Sequence, residues 1–148
     1  KRSVERYISL LEQSFVIFRL RAYSNNLRTE IKKSRKIYFY DNGIRNAIIN
    51  NFNPLSIRND VGALWENYII SERIKKNHYK QKYIKSYFWR TFLQQEIDLV
   101  EIDENVINAY EIKWNPKKNK SLPKTFSDAY NINVFKTITP ENYFEFLM

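Results

Sequence analysis

Two periods organise the apolar positions of the chain. Over SVERYISLLE (3–12), Val4, Tyr7, Ile8 and Leu11 recur at three- and four-residue spacing, which predicts an amphipathic helix. Ser3 is its expected N-cap, with Arg6 standing where a capping box would carry Glu. SFVIFRL (14–20) predicts a short buried strand. A basic, Asn-rich stretch follows, with turn chemistry at Asn25-Asn26. KIYFYDNG (36–43) predicts a strand stopped by Asp41-Asn42-Gly43, and Ile44 to Ile49 a short helix. Pro54 and the polar run Ser56–Asp60 mark a boundary. Asn59 or Asp60 is then the expected cap of a helix over Val61–Lys76, with Val61, Leu64, Trp65, Tyr68 and Ile69 on one face. Lys75-Lys76 puts positive charge at its C-terminal end, where the helix dipole favours it.

Beyond this helix the period changes to two. KYIKSYFWR (82–90) and the segments 95–102 and 106–114 predict three strands, the last two joined as a hairpin. A loop over 115–124, a short helix near Phe126–Tyr130, a strand over 131–138 and a last helix in ENYFEFLM complete the chain. The order from residue 60 onward is α-β-β-β-α-β-α, which predicts an α/β or α+β domain. Before it, helix, strand, basic loop and strand suit a small winged-helix-like segment. The expected division is therefore 1–55 and 56–148.

Composition narrows the chemistry. The chain has 148 residues, no cysteine and one histidine, His78, in a polar stretch expected to lie between a helix and a strand. That excludes disulfides, thiolate zinc sites, cysteine nucleophiles and Ser-His-Asp machinery. It also fits a cytoplasmic location. No apolar run reaches the roughly 18–20 residues of a membrane span. The chain begins at Lys1, so a longer polypeptide with further functions upstream is expected. The net charge of +9 is uneven: residues 1–60 carry twelve Lys and Arg against five acids. This basic half is either a docking face for an anionic partner or a solvated face.

Charge inside the hairpin is the feature that asks for an explanation. QEIDLVEIDENVINAYEIKW (95–114) carries Glu96, Asp98, Glu111 and Lys113 within its apolar runs. With Glu104-Asn105 as a two-residue turn and Asn at positive φ, Asp103 faces Val106. Asp98 then falls opposite Glu111, and Glu96 opposite Lys113. Two carboxylates this close repel unless a cation sits between them. A hard divalent ion such as Mg2+ takes one or two carboxylates plus water. Lys113 would then orient or deprotonate a water, or steady the charge of a phosphate. An acid facing a lysine across a sheet is also the ordinary pattern of a surface pair. The lysines of the following loop, Lys117 and Lys118 first among them, either hold a phosphate backbone or are simply solvated.

Asp98 followed by Glu111-x-Lys113 on the next strand resembles the PD-(D/E)xK nuclease signature. The surrounding KIYFYDNGIRNAI, LWENYII, FWRT, QEIDLVEI and AYEIKW resemble the C-terminal, nuclease-like domain of unknown function of a family of prokaryotic AAA+-type ATPases. The resemblance runs from about Val4 to the C-terminus. It implies a restriction-endonuclease-like αβββαβ core and, as partners, DNA and an upstream ATPase domain of the same polypeptide. It assigns Asp98, Glu111 and the Ile112 carbonyl to Mg2+, and water positioning and charge stabilisation to Lys113. It assigns Glu66 as an extra acid reaching the metal directly or through water, Arg90 as a phosphate contact and Glu96 as a supporting acid. The proline of the signature is replaced by Ile97. With only Gly43 and Gly62, the chain has no phosphate loop, so ATP binding is expected only upstream.

Overall fold

A computed structural model describes residues 2–25 and 34–148. Asn26 of the expected Asn25-Asn26 turn lies outside the described residues. The elements are α1 (Arg2–Gln13), β1 (Ile17–Ala22), β2 (Arg35–Phe39), α2 (Asn42–Ile48), α3 (Val61–Tyr79), β3 (Lys85–Arg90), β4 (Glu96–Asp103), β5 (Val106–Ile112), α4 (Lys124–Ala129), β6 (Ile132–Ile138) and α5 (Tyr143–Leu147). The chain is thus a mixed α/β protein with one six-stranded mixed sheet in the order β2-β1-β3-β4-β5-β6. β1 pairs parallel with β3, and β5 parallel with β6; the other neighbours are antiparallel. The strands of residues 1–55 and those of 56–148 therefore lie in one sheet.

Several local expectations need correcting. The first helix begins at Arg2, so Ser3 lies inside it and caps nothing. Asp60 is the N-cap residue of α3 but makes no side-chain cap bond. Its carboxylate is held instead by Arg58 and Arg45 (2.8 Å each), whose charged donors outcompete the helix amides. α3 also runs three residues past Lys76, to Tyr79, so His78 lies in its last turn and not between helix and strand.

Apolar residues cover both faces of the sheet. On one face Phe18, Leu20, Tyr38, Phe88, Leu99, Tyr110, Ile112 and Ile138 pack with Trp65, Ile69 and Ile70 of α3, joined by Phe146 and Leu147 of α5. On the other, Trp89, Ile97, Val100 and Ala109 pack with Phe126 of α4 and Tyr130. Each fully buried Ile, Leu or Phe contributes about 1.5–3 kcal/mol. The buried stripe of α3 is turned relative to the expected one: Ile70 is in the core, whereas Tyr68 is 38% exposed. Polar residues share that stripe because they have partners. Asn67 accepts from the Phe39 amide (2.8 Å) and donates to the Phe39 carbonyl (2.9 Å), bonding the helix to β2. Fully buried Glu101 of β4 accepts from Arg73 (2.9 and 2.8 Å) and Asn77 (2.9 Å) of α3.

The β4–β5 hairpin has the expected register, with Asp103 facing Val106 and Leu99 facing Tyr110. The residue at positive φ in its turn is Glu104 (φ 54°), not Asn105. On its other side β4 is irregular. Tyr87 faces Val100 and Trp89 faces Ile97, so Asp98 and Leu99 together stand against Phe88. This is a β-bulge, which bends a strand and re-aims its side chains. It lets Ile97 and Val100 share one face although they are three residues apart. The bulge falls on the first acid of the candidate site.

Candidate functional site

Asp98 sits at the bulge with its carboxylate turned toward β5. Its Oδ2 accepts from the Ile112 amide (2.8 Å), where an unbroken ladder would offer a backbone carbonyl, and from Lys113 Nζ (3.0 Å). The same ammonium lies 2.7 Å from Glu111 Oε2 and donates to the Ile112 carbonyl (3.2 Å). Three oxygens, from Asp98, Glu111 and Ile112, thus surround one cation position, and the Lys113 ammonium holds it. Glu111 is fully buried, and its Oε1 has no donor among the described residues. Lys120 approaches Oε2 at 3.8 Å.

Electrostatics follow from this crowding. Burial works to raise the Asp98 carboxyl, but Lys113, the Ile112 amide and Lys36 outweigh it and hold it below the ordinary carboxylate value. Glu111 goes the other way. Burial, and then the Asp98 charge, push it up to about 6 against the pull of Lys113. Burial works to lower the Lys113 ammonium, yet Asp98 and Glu111 raise it above its ordinary value, so it stays charged at neutral pH.

Beside this centre lies a second cluster. Lys36 of β2 lies 3.0 Å from Glu66 Oε1 and 3.8 Å from Asp98 Oδ1, and is also bonded to Glu96. The Tyr38 hydroxyl donates to Glu66 (2.6 Å), and Arg90 Nε donates to Glu96 (2.6 Å). Burial, then Glu66, push the Tyr38 phenol up, so it remains a donor.

The structure therefore brings Asp98, Glu111, Ile112 and Lys113 to one point and places Glu66 and Arg90 one cluster away. Glu96 does not face Lys113, as continuing the hairpin register would have it; it pairs with Lys36 and Arg90 because the bulge interrupts the alternation. Lys117 and Lys118 are exposed on the loop, and it is Lys120 that leans toward Glu111. Trp114 packs edge-on against Trp65 of α3 while remaining 41% exposed. Sequence reading missed Lys36. Its signal was its place two residues before Tyr38 in an alternating strand, which puts a lysine on the face of a core residue. A cavity of about 880 Å3 opens beside β5 and β6, bordered by Tyr110, Lys120 and Lys136; it does not include Asp98, Glu111 or Lys113.

Comparison with known proteins gives a family. A model described as a domain of unknown function, DUF4143, matches residues 61–141, more than half of the chain. The chain belongs to the DUF4143 family. A second domain of unknown function, DUF8612, matches residues 1–55. No curated protein and no solved structure matches. The DUF4143 match is compatible with the C-terminal domain of an ATPase-associated protein. It contains all four acids of the two clusters, while Lys36 and Tyr38 come from the DUF8612 match. Among the described residues of this DUF4143 protein, no three His, Cys, Asp or Glu side chains converge as a metal cluster. None of its described helices is long and apolar enough to cross a membrane.

Proposed function

We propose that this DUF4143 protein is the C-terminal, nuclease-like part of a prokaryotic AAA+-type ATPase and that it hydrolyses DNA phosphodiester bonds with Mg2+. The observation that carries the reading is the convergence of Asp98 Oδ2, Glu111 Oε2 and the Ile112 carbonyl within 3.2 Å of a single ammonium. Hard oxygen donors around a cation-sized position, two of them carboxylates, are the donor set Mg2+ takes, with water completing its shell. The unmatched, fully buried Glu111 Oε1 agrees with a site made for more charge than Lys113 brings. The order α3-β3-β4-β5-α4-β6 supports a restriction-endonuclease-like core over residues 56–148, with β1 and β2 of residues 1–55 extending its sheet. ATP binding belongs to the upstream part of the polypeptide.

Asp98, Glu111 and the Ile112 carbonyl would hold the ion. Bound there, Mg2+ supplies Lewis-acid polarisation of a phosphoryl oxygen and a more acidic water. The chain's own residues do the rest. Lys113 is held protonated, so it serves as a cation that orients water and stabilises negative charge on the phosphate, not as a base. Arg90, whose side chain is 35% exposed, offers its guanidinium to a neighbouring phosphate while Glu96 fixes its direction. Exposed Lys117 and Lys118 contribute sequence-independent attraction for the DNA backbone. Glu66 acts through Lys36, which it holds beside Asp98.

One observation favours a second reading. The acids are already matched by Lys36, Lys113 and Arg90, an arrangement that also suits a non-catalytic module binding nucleic acid or a partner for the ATPase. A plasmid-nicking assay with Mg2+ or Mn2+ separates the two. Hydrolysis by the wild type, lost in Lys113→Ala and Asp98→Asn, supports the enzyme. Salt-dependent DNA binding without nicking supports the binding module.

A further inference from the structure

The turn between β3 and β4 holds two large apolar side chains out to solvent. Phe92 is 64% exposed and Leu93 79%, and neither belongs to the apolar cluster on either face of the sheet. Folding does not ask for them there, since tight turns are ordinarily built from polar residues. The turn beneath them is firmly made. Buried Thr91 donates its amide to the Gln95 carbonyl (2.9 Å), and its carbonyl accepts from the Gln94 amide (3.1 Å). Its hydroxyl accepts from the Gln95 amide (3.3 Å). Gln94 closes the turn at positive φ (63°), as the last residue of a three-residue hairpin loop does. At its base Trp89 and Ile97, both fully buried, face each other across the two strands.

The surroundings indicate what this tip meets. It joins the strands that carry Arg90 and Asp98. Arg90, whose side chain is 35% exposed, stands two residues before Phe92 and is fixed by Glu96. Glu96 is itself engaged by Arg90 and Lys36, so the tip is an apolar pair flanked by positive charge. Gln94 precedes Asp98 by four residues, a reach of roughly 13 Å along an extended strand. That is about four steps of a stacked nucleic-acid strand. A cation for phosphate beside apolar side chains for base faces is the pairing with which proteins grip unstacked bases. A lipid surface would call for a broader apolar face than two side chains provide. Entering continuous duplex requires the tip to unstack a base step, whereas bases that are already unpaired present their faces without that cost.

The geometry points to Phe92 and Leu93 as a wedge that stacks on unpaired bases a few nucleotides from the Asp98–Lys113 site, so that the preferred substrate is forked DNA, where duplex gives way to single strand, and not continuous duplex. The inference rests on the DNA reading above and adds the substrate class. Phe92 and Leu93 set specificity on this account and do not touch the reacting phosphate.

Anisotropy titrations of the whole chain in EDTA, against a labelled fork and a blunt duplex of equal length, test it. The wild type is expected to bind the fork about tenfold more tightly, the worth of one stacked base. The double variant Phe92→Ala with Leu93→Ala should bind both DNAs with the weaker affinity, and its urea unfolding should match the wild type because the side chains it removes are exposed. A 2-aminopurine in the unpaired arm should be quenched by the wild type and not by the double variant. Equal affinity of the wild type for the two DNAs overturns the inference, and so does a fork preference that survives in the double variant. Phe92- and Leu93-dependent binding to phosphatidylglycerol vesicles without a fork preference overturns it in favour of a lipid surface. Nicking by the wild type without fork preference leaves the nuclease reading standing and removes the inference alone. Fork preference without nicking upholds the inference and assigns the site to the binding module. No DNA binding by the wild type sinks the DNA reading and the inference together.

Discussion

Glu111 makes the metal-free protein lose stability as pH rises through mildly acidic values. Its carboxyl moves from an ordinary 4.5 up to about 6 on folding, through burial and then the Asp98 charge. A raised carboxyl favours the protonated form in the folded state. The stability it contributes is therefore complete below pH 4.5 and is lost as pH climbs through about 6. The difference of about 1.5 units, at about 1.4 kcal/mol per unit, amounts to roughly 2 kcal/mol. Asp98 shifts the other way, and its contribution is lost only as pH falls below the ordinary Asp range, so the two windows do not overlap. Urea unfolding in EDTA at intervals from pH 4 to 7.5, for wild type and Glu111→Gln, isolates the effect. The difference in unfolding free energy between the two should shift in favour of Glu111→Gln by about 2 kcal/mol across this range. A constant difference would refute the claim that Glu111 is buried beside a charged Asp98. Mg2+ requires the ionised carboxylate, so its affinity should also fall as pH drops below about 6.

Arg73→Met leaves the fully buried Glu101 charge without its guanidinium and should destabilise by about 3–5 kcal/mol in urea unfolding, whereas the double variant Arg73→Met with Glu101→Leu should recover most of that loss. Asn67→Leu removes both side-chain bonds to Phe39 and should cost about 1–3 kcal/mol, with faster amide exchange at Phe39 as the local readout. Phe126→Ala, under the second face of the sheet, should cost about 3–5 kcal/mol without altering Mn2+ binding.

The hairpin shows how much of the site was legible in the chain. Its register follows from alternation and a two-residue turn, and that alone brings Asp98 toward Glu111. The bulge was not legible, because EIDLVEI reads as unbroken alternation; only the pairing with β3 reveals that Asp98 and Leu99 share one partner position. Hence Glu96 was paired with the wrong cation. The parallel pairing of Arg21 with Tyr87 spans most of the first half of the chain, and no local pattern announces it. Lys36 reaches the acids only because of that pairing and the strand added outside it, so the alternation of β2 marks a lysine on a core face but not the acids it meets. α3 was legible in extent but not in facing, since Asn67, Ser71 and Asn77 are buried polar residues that a hydrophobic stripe cannot predict.

The central claim is that Asp98, Glu111 and the Ile112 carbonyl enclose a position that Mg2+ takes from the Lys113 ammonium. Anomalous diffraction from crystals soaked in Mn2+ tests it directly. The account expects a single manganese peak within coordination distance of those three oxygens, with Lys113 moved aside. Saturating Mn2+ with no peak there, and Lys113 still seated between Asp98 and Glu111, would contradict it.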